Sequence, residues 1–318
     1  MTIAVKNTPD LPSRLVNSIL SIKPFANFAK HQARQMMIKR AEKLGVPWSS
    51  EVETLQQRDW QEDFTKIKNS QLTYPDYYLT SFHAYESGNM SWLAAFELES
   101  AAYAVHARLW EDGGRQGDAK LRQSYHDILK AQISQPPQTI LDMGCGVGMS
   151  TFALQELYPQ AEITGLDLSP YFLTVARYRS QQRQANISSN ISSNINPKIN
   201  WVHEKAESTN FPDASFDLVS IFLMCHELPQ APTRQIFAEA KRLLRPGGQL
   251  GIMDMNPQSE AFKKMPPYIL TLLKSTEPYL DDYFALDIEQ TLINEGFQTP
   301  VVARNSPRHR TIIARVSA

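Results

Sequence analysis

Cysteine is scarce in this chain: Cys145 and Cys225 are the only two in 318 residues. They lie far apart and lack metal-ligand spacing. The sequence therefore offers neither a disulfide scaffold nor a cysteine-based zinc site, and both read as free thiols of a reducing compartment. Long apolar runs are missing too. No stretch reaches the ~18 residues of a membrane-spanning helix. The N-terminus lacks the continuous apolar segment of a secretory leader, so a cytoplasmic location is expected. Neither sign of charge is in excess: 32 basic and 33 acidic residues leave a net charge of -1. That balance gives no support to a nucleic-acid surface. A basic stretch, Lys30 to Lys43, reads as a solvated helix face, with a membrane-surface helix as the alternative. What the chain does have is 42 % apolar residues, enough for one large or two small domains with a sizeable core.

The chain divides near Pro136-Pro137, giving residues 1–135 as a helical N-terminal extension and 136–318 as the main domain. In the first part, segments 26–44 and 91–110 carry apolar residues at helical spacing. Ser91 is placed to cap the second, and Gly113-Gly114 to stop it. Between them, residues 74–92 are dense in aromatics and broken by Pro75, Gly88 and Asn89, so they read as a loop. After Pro137, strands alternate with helices. Strands are expected at 139–143, 161–168, 199–204, 216–223 and 248–255. Helices are expected at 150–157, from Pro170 to about 184, and at 231–244. Arg245-Pro246-Gly247-Gly248 would be a turn before the fifth strand. Residues 299–304 and 310–316 read as two edge strands with a solvated turn at Arg308-His309-Arg310. Residues 186–198, an Asn/Ser repeat, read as a surface loop. The alternation implies a Rossmann-like, seven-stranded, mostly parallel α/β sheet with helices on both faces, plus the α-helical extension.

The most telling run is ILDMGCGVGMST, Ile140 to Thr151. An apolar strand ends near Asp142 and turns through Gly144, Cys145, Gly146 and Gly148 into a helix. Glycines there let backbone approach a ligand closely. In open parallel sheets, ligands bind at the carboxyl ends of the strands. The next strand ends in Asp167-Leu168, and a carboxylate there can accept both hydroxyl hydrogens of a ribose. Asp142 would order the turn and face the ligand's amino group.

Glycine spacing G-x-G-x-G with a preceding acid, AESTNFPDASFD at 206–217 and RLLRPGGQL at 242–250 together resemble the ordered blocks of class I S-adenosylmethionine (SAM) methyltransferases. The branch is similar to the ubiquinone and menaquinone methyltransferases. The resemblance covers residues 137–256 well. It implies SAM as cofactor, S-adenosylhomocysteine as product, and backbone of the glycine loop against the methionine part. It implies Ala206 and Glu207 at the adenine, and Phe222 and Leu223 near the methyl. Where this branch commonly carries aspartate before the alanine, this chain has Lys205, so the adenine contact falls to Glu207 or is absent. His226 stands where relatives often carry histidine and is the candidate catalytic residue, with Glu227 as a weaker partner.

The acceptor side is less specific. Tyr78, His83, Tyr85 and Trp92, with Tyr77 and Phe82, are candidates for an acceptor lid, or alternatively for packing of the extension. Met265, Tyr268, Tyr279, Tyr283 and Phe284 are candidates for the pocket wall. Aromatic enrichment points to an apolar or aromatic small molecule. No metal is implied, and neither is a nucleic-acid partner or stable membrane insertion; a homodimer is left open. An NAD(P)-dependent oxidoreductase is the rival enzyme, but G-x-G-x-x-G and a Tyr-x-x-x-Lys pair are absent. A SAM-binding protein without catalysis is the rival binder, suggested by Lys205. A nucleic-acid methyltransferase would need Asp/Asn-Pro-Pro-Tyr after the fourth strand, where the chain reads MCHELP; MPPY occurs only at 265–268.

Overall fold

A computed structural model describes residues 23–83, 85–189 and 199–317, with side chains omitted at 23–30, 33 and 186–189. The N-terminal part is helical: α1 (Lys23–Lys43), α2 (Trp48–Gln56), α3 (Gln61–Ile67), α4 (Trp92–His106) and α5 (Gly117–Gln132). A 3-10 turn, Asp76–Leu79, is the regular element of the aromatic stretch. Ser91 caps α4 as its chemistry dictates, its side chain accepting from Ala94 N–H at 3.2 Å. The helix stops at His106, several residues before Gly113.

The strands follow as β1 (Thr139–Met143), β2 (Glu162–Asp167), β3 (Ile199–His203), β4 (Phe216–Phe222), β5 (Leu244–Met255), β6 (Val301–Arg304) and β7 (His309–Arg315). Their order across the sheet is β3-β2-β1-β4-β5-β7-β6. The first five are parallel, and β7 runs antiparallel to both β5 and β6. The order reverses between β1 and β4, which puts a crevice at the carboxyl ends of those strands. Helices α6 (Met149–Leu157), α7 (Pro170–Ser189) and α8 (Gln230–Leu243) alternate with the strands. Short helices α9 (Glu260–Lys263), α10 (Pro267–Thr276), α11 (Leu280–Ala285) and α12 (Ile288–Asn294) cross from β5 to β6.

Alternation along each strand divides the core. Leu141, Val219, Leu250 and Ile252 pack with Ile236, Phe237 and Leu243 of α8. Their neighbours Ile140, Leu218 and Met253 face the other way, onto Leu121, Tyr125 and Leu129 of α5. Each buried aliphatic side chain contributes about 1.5–3 kcal/mol, so both faces of the sheet are needed to hold the fold. A third cluster joins the extension to α7: Trp48, Trp60 and Phe96 pack with Phe172 and Val175.

Several sequence expectations are corrected. Helix α7 runs to Ser189, so the start of the Asn/Ser repeat is helical; residues 190–198 lie outside the described residues. Arg245–Gly248 is not a turn before a strand but an excursion within β5. Pairing jumps from Phe216–Leu244 to Leu218–Gln249, with Gly247 at φ +77°. Only β6 of the final pair is an edge strand, because β7 inserts between β5 and β6. His309 is therefore buried, with its Nδ1 2.7 Å from Ser306 Oγ, and is no solvated turn.

Candidate active site

The carboxyl end of β1 carries the glycine loop. Gly144, Gly146 and Gly148 adopt φ of +70°, +55° and +90°, values that side-chain-bearing residues rarely take. Gly148 caps α6, while a Cβ on Gly146 would stand 3.0 Å from Leu98 Cδ2. Asp142 is fully buried below the loop. Its Oδ2 accepts from Ser150 and Thr151 hydroxyls, both at 2.6 Å, while Oδ1 has no partner. It holds the start of the following helix through these two hydroxyls, and it does not line the adjoining cavity, where it was expected to face the ligand's amino group. Gly148 does not line the cavity either.

That cavity has a volume of about 560 Å³, within the ~300–1,000 Å³ of small-molecule sites. Gly144, Cys145 and Gly146 form one wall; Asp167, Leu168, Ala206 and Glu207 form the next. Phe222 and Leu223 close the side below β4. Asp167 sits at the tip of β2, where Oδ2 accepts from Gly146 N–H and Oδ1 from Ser169 N–H, each at 2.8 Å. Burial pushes its pKa up to about 6, against those two hydrogen bonds. Glu207 accepts from the Tyr77 hydroxyl, so the acid that follows Ala206 is fixed at the cavity wall. Lys205 instead makes a β-bridge to Ser208.

Leu223 marks the far end. At φ +56° it is a side-chain-bearing residue in the left-handed region, held by its N–H to Met253 O at 2.8 Å. Such a conformation costs of order 1–3 kcal/mol and concentrates at functional sites. The following 3-10 turn, Cys225–Glu227, brings His226 into the cavity wall. His226 is 5 % exposed. Its Nδ1 lies 2.7 Å from Asp254 Oδ1, and its backbone N–H donates to Asp254 Oδ2 at 3.2 Å. Burial favours the neutral ring, but the Asp254 carboxylate outweighs it and raises the pKa to about 10. Glu227 is raised as well, burial pushing its pKa to about 7.

The aromatic stretch 74–92 does cover this cavity. Tyr77, Tyr78, Phe82, His83 and Tyr85 all line it. The Tyr78 hydroxyl reaches Asp167 Oδ1 at 3.4 Å. Tyr85 donates to Glu97 at 2.7 Å, and Glu97 also holds Arg34 and Trp48 Nε1. Trp92 does not line the cavity; its ring stacks on Phe96 at 5.6 Å and meets Tyr171 edge-on at 5.0 Å. It packs the extension onto α7.

The second cover comes from the segment after β5, through other residues than expected. Leu272, Leu273, Thr276 and Glu277 line the cavity, whereas Met265, Tyr268, Tyr279, Tyr283 and Phe284 do not. Tyr268 is exposed, and Tyr283 is a core residue donating to Met255 O at 2.5 Å. Tyr279 ties the two covers together by donating to Tyr77 O at 3.2 Å. His83 N–H donates to Thr276 O at 3.0 Å, and His83 Nε2 lies 3.1 Å from Glu277 Oε1. Asp254 and Glu277 are thus among the site residues that the sequence reading missed, with Asn89, Arg122, Leu272 and Leu273. An acid ending the fifth strand, beside a strand already known to end at the site, was a readable signal for Asp254. Glu277 had none.

A family model described as a methyltransferase domain matches residues 141–252, the part that carries the glycine loop, Asp167, Ala206 and His226. A ubiquinone biosynthesis O-methyltransferase from Xanthomonas campestris is 31 % identical over 190 residues, 58 % of this chain and 73 % of that one. The chain belongs to the class I SAM-dependent methyltransferases. A demethylmenaquinone methyltransferase from Listeria welshimeri is 30 % identical over 129 residues, 40 % of this methyltransferase. Here the match spans about half, 49 %, of the relative's length. A solved structure of a putative O-methyltransferase from Nostoc punctiforme superposes with a TM-score of 0.51 at 16 % identity, covering 87 % of this methyltransferase and 72 % of that chain. At that identity it shows the shared fold. Among the described residues no helix is long and apolar enough to cross a membrane.

Proposed function

We propose that this methyltransferase transfers the methyl group of SAM to an oxygen nucleophile of a small, largely apolar acceptor. The observation that carries the reading is His226 in the wall of the same cavity as Gly144 and Gly146, just after the end of β4, with the buried Asp254 carboxylate behind it at 2.7 Å. The residues present fit the cofactor. Gly144 and Gly146 keep side chains off the loop that would face the methionine part. Asp167 accepts Gly146 N–H on Oδ2, and Ser169 N–H with the more distant Tyr78 hydroxyl on Oδ1, so Oδ2 retains a lone pair for a ribose hydroxyl and a second would take the place of Tyr78. Ala206 and Glu207 stand where the adenine would lie. Cys145 and Leu168 supply the apolar walls between them.

SAM, when bound, supplies an electrophilic methyl on an already activated sulfonium. The protein's task is then to align the acceptor and exclude water. Tyr78, Phe82 and Tyr85 close the cavity from one side, and Leu272 and Leu273 from the other. His226, fixed through Nδ1 by Asp254, presents the rest of its ring to the acceptor end and orients the nucleophilic oxygen. The aromatic and aliphatic lining from Tyr78, Phe82, Leu272 and Leu273 favours a phenol-like or enol-like acceptor, and the acidic groups near His226 disfavour an anionic one.

The test is SAM-dependent turnover against a panel of phenols, quinols, carboxylic acids and amines, with His226→Ala beside the natural chain. Methylation of oxygen acceptors, lost in His226→Ala while S-adenosylhomocysteine still binds, is the expected result. Selective methylation of amines, or full activity in the variant, contradicts the oxygen assignment. Tight S-adenosylhomocysteine binding with no turnover on any acceptor would favour a binding protein.

A further inference from the structure

The acceptor end of the cavity holds more ligating chemistry than orienting one oxygen needs. His83, His226 and Glu277 each offer a donor atom, and these atoms lie within 4.8 Å of one another. They come from three separate parts of the chain: the aromatic cover, the turn after β4, and the end of α10. Two features set the cluster apart from an ordinary ion-pair network. First, Glu277 is 6 % exposed and its Oε2 is buried without a hydrogen-bond partner. An unpaired carboxylate oxygen in such a place is costly unless something neutralises it. Second, Glu227 Oε1 stands 3.6 Å from His83 Nε2 and Asp254 backs His226 at 2.7 Å. Three carboxylates thus surround two imidazoles, so acidic groups outnumber basic ones around the cluster.

We infer that His83, His226 and Glu277 form a binding site for a divalent transition-metal ion at the acceptor end of the cavity. Two imidazole nitrogens and one carboxylate suit zinc, iron(II), cobalt(II) or manganese(II) and not the oxygen-only sites of calcium or magnesium. Asp254, bonded to His226 Nδ1, supplies the outer carboxylate that usually fixes the orientation of a metal-bound imidazole. The ion would displace the contact between His83 Nε2 and Glu277 Oε1, now 3.1 Å. With bonds of ~2.0–2.2 Å, four-coordinate donors stand ~3.3 Å apart, so the three groups need to close by about 1.5 Å at most. His83 would close this distance by side-chain rotation, since its backbone is held by its N–H to Thr276 O at 3.0 Å. With three protein donors the coordination shell stays open toward the cavity, where an acceptor oxygen would complete it. That last role rests on the proposed methyl transfer to oxygen; the metal site itself does not.

The probe is cobalt(II) alone, with no cofactor or acceptor. The untagged full chain is stripped with a chelator, dialysed against cobalt(II), and read by bound metal per chain and by visible d–d absorption. One bound ion with intense bands is expected. His83→Ala and Glu277→Gln should weaken binding at least ~10-fold, and Asp254→Asn by ~10- to 100-fold. Circular dichroism of each variant confirms that it is folded. Absence of stoichiometric cobalt, or equal binding by folded His83→Ala and Glu277→Gln, overturns the site. Calorimetry with S-adenosylhomocysteine on the stripped protein reads the methyl-donor assignment separately, so either can fail while the other stands.

Discussion

Asp167→Asn is the sharpest single perturbation of the cofactor side, because it changes charge and one hydrogen-bonding group while keeping shape. In the natural protein each carboxylate oxygen accepts a backbone N–H at 2.8 Å, from Gly146 and from Ser169. An asparagine keeps one of these bonds. Its NH2 faces the other amide, leaving a buried donor against a donor, which costs about 1–3 kcal/mol. That cost falls on folding and on the geometry of the glycine loop. Hydrogen bonds to a charged group contribute about 1.5–3 kcal/mol each, and the amide replaces them with weaker neutral ones. For ribose binding the net loss should be about 2–3 kcal/mol, or ~30- to 150-fold in Kd. Isothermal titration with S-adenosylhomocysteine measures it, at a temperature where circular dichroism shows the variant folded. An affinity within threefold of the natural protein would refute the ribose assignment and the electrostatic reasoning behind it.

Four further outcomes follow from the same geometry. S-adenosylhomocysteine affinity should fall as pH drops below about 6, where burial places the Asp167 pKa, by up to ~10-fold per pH unit; Asp167→Asn should flatten that slope. His126 is 7 % exposed and burial lowers its pKa to about 4. Between there and about 6.5 the unfolded chain binds a proton that the folded chain refuses, so stability rises with pH across the window, by up to about 3 kcal/mol. His126→Gln should remove that part of the pH dependence in urea titrations. Trp92 is partly buried, so Trp92→Ala should destabilise by about 2–3 kcal/mol, below the range of a fully buried aromatic, through lost packing with Phe96 and Tyr171, whereas Trp92→Phe should leave S-adenosylhomocysteine affinity unchanged; a large affinity change in that variant would return Trp92 to the ligand site. Gly251→Ala would place a Cβ 2.6 Å from the Tyr125 hydroxyl, an oxygen bonded to Ser220 at 2.9 Å. The overpacking should cost about 1–3 kcal/mol in thermal or urea denaturation, and Tyr125→Phe in the same background should recover part of it.

The parallel half of the sheet was legible because each strand is a short apolar run bounded by turn residues, as in TILDM and FDLVSIF. The glycine loop and Asp167 were legible because strand ends can be counted along the chain. Less could be read where a residue's role depends on which strand lies beside it. The insertion of β7 between β5 and β6 buries His309, and nothing in Arg308-His309-Arg310 encodes that neighbour. The excursion at Arg245–Gly248 likewise needs the partner strand to define it: Arg245 there binds Asp217 of the neighbouring β4 and Thr139 of β1 beyond it. For the aromatic stretch the sequence left a lid and packing as alternatives, and composition could not separate Tyr78, which lines the cavity, from Trp92, which packs behind it. Tyr268 and Tyr283 show the same limit after β5. Glu277 enters only because α10 ends beside His83, a contact between segments almost two hundred residues apart.

The claim on which the rest depends is that the crevice between β1 and β4 binds an adenosyl methyl donor. Calorimetric titration of the purified chain with S-adenosylhomocysteine and, separately, with NADH tests it most directly. One S-adenosylhomocysteine bound per chain, weakened by Asp167→Asn and without measurable NADH binding, is the predicted result. Binding of NADH without S-adenosylhomocysteine would contradict it.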